Sequence, residues 1–200
     1  MKRLFVFGLV LALGSIAQAN PVTIATFEDP SATSTDWLFE IMNNGDNGDI
    51  IGGWTGSGLD LKVPSASKIY TNTWFRMTIL LYGGGISGET GAGAIEFYTN
   101  GGVDSILKIN FAKAFLSQGG LASNWLYSSE SDIKITGVDF AGELTGEASF
   151  GFVFTNYVIM PDDGGFTATA AFVSSAITPE PATMALFGLG GLLLRRKRKA

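Results

Sequence analysis

Apolar and polar residues alternate in short runs through most of this chain. Leu59, Leu61 and Val63 enclose Asp60 and Lys62, and Phe150, Phe152 and Phe154 are spaced by Gly151 and Val153. Phe166, Ala168, Ala170 and Phe172 alternate with Thr167 and Thr169, and Phe75, Met77, Ile79 and Leu81 share one face between Trp74 and Tyr82. A period of two puts one set of side chains on a dry face of a strand and the other set on a wet one. Gly, Asn, Asp and Ser separate the runs, as turn residues do. The pattern predicts an all-β body, an antiparallel β-sandwich or jelly roll. A β-helix is the alternative, but no fixed internal repeat supports it. Only Ile109 to Leu126 offers helical spacing, through Phe111, Phe115 and Leu116, with Gly119-Gly120 to end it.

Residues 94 to 111 allow a register to be argued. Asn100-Gly101-Gly102 separates two alternating runs and signals a hairpin. A three-residue loop sets Thr99 opposite Val103, Phe97 opposite Ser105 and Ile95 opposite Leu107. Ile95, Phe97, Val103, Leu107, Ile109 and Phe111 then share a face, with Glu96, Asp104 and Lys108 on the other. A two-residue loop would mix the faces, so the dry face decides for three.

The two ends follow different rules. Lys2 and Arg3 precede an apolar run from Leu4 to Ala17, and Ala17-Gln18-Ala19 is a small-x-small cleavage pattern. Residues 1–19 therefore read as a secretory signal peptide, too short for a comfortable span. At the other end, Ala182 to Leu194 carries no charge and is followed by Arg195, Arg196, Lys197, Arg198 and Lys199. As a helix those residues reach about 20 Å, short of the roughly 30 Å of a bilayer core. The basic cluster is a stop-transfer signal that stays cytoplasmic. This leaves a body at 20–177 between a signal helix and a short membrane helix in the segment 178–200.

The Pro179-Glu180-Pro181 triplet, the short apolar segment and the terminal basic cluster, in that order, resemble the PEP-CTERM sorting signal of Gram-negative bacteria. The resemblance covers only the tail. It implies recognition by an exosortase, a membrane-embedded sorting protease, near the triplet. It also implies delivery to the cell surface or into an exopolysaccharide matrix, after an inner-membrane intermediate whose body lies outside. Pro179 and Pro181 cannot continue a helix, which keeps that stretch extended and open to a protease. A plain C-terminal anchor that is never cut is the alternative.

Composition then narrows the chemistry. The chain has no Cys and no His, so disulfides, thiolate or imidazole metal sites, Cys nucleophiles and Ser-His-Asp triads are excluded. Six basic residues (Lys62, Lys68, Arg76, Lys108, Lys113 and Lys134) face seventeen acidic ones between Asn20 and Thr178, a formal body charge of about −11. A field of that sign repels phosphate backbones, so no nucleic-acid partner is expected.

Several segments invite a chemical reading. Gly83-Gly84-Gly85-Ile86-Ser87-Gly88 matches G-x-G-x-x-G, but a dinucleotide site needs a helix to begin there, and a loop is expected instead. Asn43-Asn44-Gly45-Asp46-Asn47-Gly48-Asp49 offers oxygens for calcium without the EF-hand spacing, and turn chemistry is expected. Glu96, Asp104, Asp60 and Glu130 could supply the carboxylate pair of a glycosidase, although seventeen acids make some pair inevitable. Among the aromatic residues, Trp54 in Gly52-Gly53-Trp54-Thr55-Gly56 is expected on a loop, where it could stack on a sugar. The expectation is a non-catalytic exported protein without cofactor or resident metal, in a structural or adhesive role. Its partners would be the export machinery, exosortase, the membrane and polysaccharide. A carbohydrate-binding module, calcium-dependent or not, is the alternative, with a glycan-active hydrolase behind it.

Overall fold

The computed structural model describes residues 21–30, 37–43, 45–83, 87–99, 101–118, 124–130, 132–140, 142, 144, 147–160 and 164–177. One compact unit is Val22–Ala176; a second comprises residues 1–21 and 177–200, nearly all outside the described residues. The expected signal and membrane helices fall outside them as well. Among the described residues no helix is long and apolar enough to cross a membrane.

The body is all β and antiparallel. Its strands are β1 (Pro21–Phe27), β2 (Phe39–Asn43), β3 (Gly48–Trp54), β4 (Leu61–Val63), β5 (Lys68–Tyr70), β6 (Trp74–Met77), β7 (Leu80–Tyr82) and β8 (Ser87–Glu89). They continue as β9 (Gly93–Tyr98), β10 (Ser105–Phe111), β11 (Phe115–Gln118), β12 (Asn124–Glu130), β13 (Lys134–Gly137), β14 (Ala148–Ile159) and β15 (Phe166–Ile177). Hydrogen-bonded neighbours run in the order β13-β10-β9-β6-β3-β2-β15-β14-β12-β11-β8, with β1, β4, β5 and β7 branching off that path.

The path folds over on itself. Phe75 of β6 lies 6.0 Å from Phe152 of β14, and Phe97 of β9 lies 5.2 Å from Phe172 of β15, although these strands are not sheet neighbours. Phe27 of β1 sits among all four rings, at 5.4 to 6.2 Å. Phe27, Phe39, Phe75, Phe97 and Phe152 are fully buried and form the centre of the core. Offset and edge contacts of this kind add to area burial, by about 0.5–1.5 kcal/mol per pair.

Burial follows the alternation in most strands. Leu59, Leu61 and Val63 point inward, as do Phe150, Phe152 and Phe154 on β14 and Phe166, Ala168, Ala170 and Phe172 on β15. Between Trp74 and Tyr82 the expected single face breaks. Phe75 and Met77 are buried, but then Leu80 and Tyr82 are buried while Ile79 and Leu81 are exposed. Both β6 and β7 pair with β3, in registers that differ by one residue. That one-residue bulge over 78–79 exchanges the faces. Thr78 N donates to Ala94 O at 2.9 Å and its hydroxyl accepts from Ala94 N at 3.2 Å, which occupies the backbone groups at the break.

The hairpin at 93–111 buries Ile95, Phe97, Leu107, Ile109 and Phe111 as expected, but not Val103, and in a different register. Ile95 pairs with Ile109 and Phe97 with Leu107, and the register shifts between Ser105 and Leu107. The turn closes through Thr99 N donating to Asp104 O at 2.9 Å, a longer loop than expected. Ile106 is the extra residue, and Val103 is left in the turn, exposed. No helix occupies the 109–126 stretch among its described residues; β10, β11 and β12 take it. Phe115 pairs with Tyr127 and their rings stack at 5.8 Å, so cross-strand contacts replace helical ones.

Candidate ligand-binding site

The site is built at the crossing of β2, β3 and β6. Gly53 is the register partner of Arg76, and Trp54 of Phe75. Gly53 N donates to Leu38 O, and Leu38 N to Ala168 O, each at 2.9 Å. These bonds anchor the chain immediately after Trp37, whose side chain is left 53% exposed. Trp37, Gly53, Trp54, Thr55, Gly56, Phe75 and Arg76 line an open cavity of about 320 Å³, near the lower end of small-molecule sites.

Trp54 corrects an expectation. It ends a strand and is only 6% exposed, not displayed on a loop. The Gly52-Gly53 step that reads as a loop is a strand with crowded neighbours. A Cβ on Gly52 would stand 2.6 Å from the Phe39 ring. Trp54 is thus a wall of the cavity, and the exposed indole there belongs to Trp37. The Trp54 Nε1 is buried and has no hydrogen-bond partner among the described residues.

Arg76 supplies the charge. Its guanidinium lies 5.3 Å from the Tyr98 ring centre, and among the described residues it forms no ion pair. Glu96 is its cross-strand neighbour on β9 but engages Tyr98, Ser105 and Lys108, the last at 3.7 Å. Burial pushes the Glu96 carboxyl up, yet those hydrogen bonds and the Lys108 charge together hold it below the usual range. Burial, then the Glu96 contact, pushes the Tyr98 hydroxyl up, so Tyr98 stays neutral beneath Arg76. Behind them, Gly102 adopts φ +69°, and a Cβ there would stand 2.8 Å from the Trp74 ring. Glycine is needed for both reasons.

Two other polar clusters tie elements together. Asp139, its side chain 7% exposed, accepts from Lys68 and, at 2.7 Å, from Tyr70. Burial raises this carboxyl, but the hydrogen bonds from Lys68 and Tyr70 and the Lys68 charge outweigh it and leave it below its ordinary value. Asp29 accepts from Thr169 at 2.5 Å and from Thr155 at 2.8 Å, beside the β14 bulge where Asn156 has φ +46°. Both clusters fasten loops to strands.

The remaining candidates are scattered. Asn43 Oδ1 accepts from Gly45 N at 3.2 Å, turn chemistry in the β2–β3 hairpin. Gly83 follows β7 and Ser87–Glu89 is strand, so no helix opens at Ser87; residues 84–86 lie outside the described residues. Asp60 accepts from Asn72 N at 3.3 Å, Glu96 lies mid-strand against Lys108, and Asp104 is exposed in the β9–β10 turn. The Glu130 side chain is outside what is described. Among the described residues no three His, Cys, Asp or Glu side chains cluster as metal ligands. Pro179, Glu180, Pro181, Arg195, Arg196, Lys197, Arg198 and Lys199 all lie outside the described residues.

Sequence reasoning found the aromatic content but not the site. Trp37 lies 17 positions from Trp54 and Arg76 lies 22. Only strand pairing brings the three together. One signal was available: Arg76 is the only arginine of an anionic body.

Comparison with known proteins adds the tail. Residues 178–199 match the family described as PEP-CTERM protein-sorting motif, so the chain carries that motif at its C-terminal end. Such a motif implies processing by an exosortase and suggests an exported, cell-surface protein. No curated protein and no solved structure matches the chain.

Proposed function

We propose that this protein is exported, handed to an exosortase through its C-terminal segment, and displayed at the cell surface or in an extracellular matrix. There its body, read as a β-sandwich, has a non-catalytic structural or adhesive role. The motif at 178–199 carries the reading. The Lys2-Arg3 start, the apolar run and Ala17-Gln18-Ala19 support export from the other end. The basic cluster from Arg195 to Lys199 holds the last residues in the cytoplasm while the body is outside. A sandwich without thiols or imidazoles suits exposure: it needs no redox partner and binds no soft metal. The test is to replace Pro179, Glu180 and Pro181 by alanine and follow the chain by fractionation and intact mass. The unprocessed form should accumulate in the inner membrane. Unchanged processing and surface display would end the exosortase reading.

A second reading is favoured by one observation. The cavity between Trp37, Gly53 and Arg76 joins an exposed indole to a cation, the means by which proteins hold sugars. On this reading the body is a carbohydrate-binding module on the same sorting signal.

A further inference from the structure

We propose that the cavity walled by Trp37, Trp54 and Arg76 binds an acidic sugar residue, a uronate unit of a polysaccharide, with Trp37 stacking on the ring and Arg76 holding the carboxylate. The proposal rests on the carbohydrate-binding reading and names its ligand.

Three independent observations carry it. The first is shape: an open cavity of about 320 Å³ has room for a sugar ring. Gly53, among its lining residues, has no side chain to obstruct a ring there. The second is the stacking surface. Trp37 is 53% exposed at the edge of the cavity, whereas the other described indole of the cavity is buried. An indole left in water by a well-packed body offers the apolar face that the C–H side of a pyranose covers.

The third is charge. Lys62, Lys68, Lys108 and Lys113 pair with Glu28, Asp139, Glu96 and Glu89. Arg76 instead lies over Tyr98 with no carboxylate paired to it among the described residues, in a body whose formal charge is about −11. Its nearest acidic neighbour across the strand, Glu96, is drawn away by Tyr98, Ser105 and Lys108. A planar fork of donors is suited to a carboxylate, and the ring behind it limits the orientations that binding must freeze. The surrounding negative field disfavours loosely held anions, so binding depends on this one contact being made.

The experiment uses the purified full-length chain in detergent micelles. Titration calorimetry at low ionic strength compares tetragalacturonate with the neutral cellotetraose. Tetragalacturonate should bind at least about tenfold more tightly, the scale of one charge-assisted bond to a carboxylate, and should weaken as salt is added. Arg76→Gln should remove that preference, bringing tetragalacturonate down to about the affinity of cellotetraose. Trp37→Ala should abolish both, and Trp37→Phe should retain most of the affinity. Both side chains are exposed, and an unchanged near-ultraviolet CD spectrum verifies the fold of each variant. Equal binding of the two sugars, insensitive to Arg76→Gln, would overturn the acidic-sugar assignment and leave the carbohydrate reading standing. Binding that survives Trp37→Ala would remove this cavity as the site. No binding of either sugar would remove both readings.

Discussion

Phe152→Ala tests the packing that defines the body. Phe152 is fully buried in the middle of β14. Its ring lies 4.8 Å from Phe39 and from Phe172, 6.0 Å from Phe75 and 6.2 Å from Phe27. Truncation removes the transfer energy of the ring and leaves a cavity lined by other rings, which cannot easily collapse. Phenylalanine-to-alanine changes in cores cost about 3–5 kcal/mol. Four ring contacts of about 0.5–1.5 kcal/mol each overlap with that figure and place this site toward its upper end. Against a typical total of about 5–15 kcal/mol, the loss is a third or more. At roughly 2–4 °C per kcal/mol for a domain of this size, Tm should fall by about 10–20 °C. Val153→Ala is the internal control: the adjacent residue points to the other face and is 46% exposed, so its cost should stay below about 1 kcal/mol. Thermal unfolding of the purified protein followed by circular dichroism measures both. Equal shifts for the two variants would refute the folding of β6 and β9 over β14 and β15.

Two further outcomes follow from polar groups. Ser128 is buried opposite Phe150, and its hydroxyl has no hydrogen-bond partner among the described residues. Ser128→Ala should therefore stabilise the body by about 1 kcal/mol in urea unfolding, and a destabilisation would show that the hydroxyl is engaged. The Asp139 contacts predict losses at both pH extremes. The Asp139 carboxyl is held below its ordinary value of 3.8, so its contribution is present above that value and is lost as pH falls through the folded value. Lys68 is held above 10.5, chiefly by its hydrogen bond to Asp139, and Tyr70 above 10.0, chiefly by burial, so their contributions persist below those values and fade as pH rises past them. Asp139→Asn should lower the urea midpoint most near neutrality and least at pH 3; a constant difference across that range would contradict the linkage.

The strands were legible where the alternation ran unbroken. In β14 and β15 the inward phenylalanines announce themselves, and the buried face follows. Errors arose at bulges. Period-two reasoning carries a face forward until the backbone inserts a residue, and no side chain signals the insertion at Thr78-Ile79 or at Ile106. Both bulges are set by partners: β3 must serve β6 and β7 in two registers, and Ile106 is drawn inward while Leu107 keeps its place opposite Phe97. The helical reading of 109–126 failed for a related reason. Phe111, Phe115 and Leu116 satisfy helical spacing, but their burial comes from neighbouring strands, which local sequence does not contain.

The sorting signal and the candidate ligand site differ in how sequence encodes them. A sorting signal must be read before or apart from folding, so all its information lies in one contiguous stretch, Pro179 to Lys199. A binding site in a sandwich is assembled by the fold, and its residues need only meet in space. Trp54 illustrates the consequence. Glycines on both sides make it look displayed, yet those glycines exist because rings press on the strand: Phe39 against Gly52, and the Trp54 indole itself, 2.7 Å from where a Gly56 Cβ would stand. Trp37 has no such marker in sequence and is the indole left in water. A glycine beside an aromatic residue is therefore ambiguous between a loop that exposes the ring and a strand that makes room for one. Here the close contacts decide for the strand, and the search for a ligand moves from Trp54 to Trp37 and Arg76.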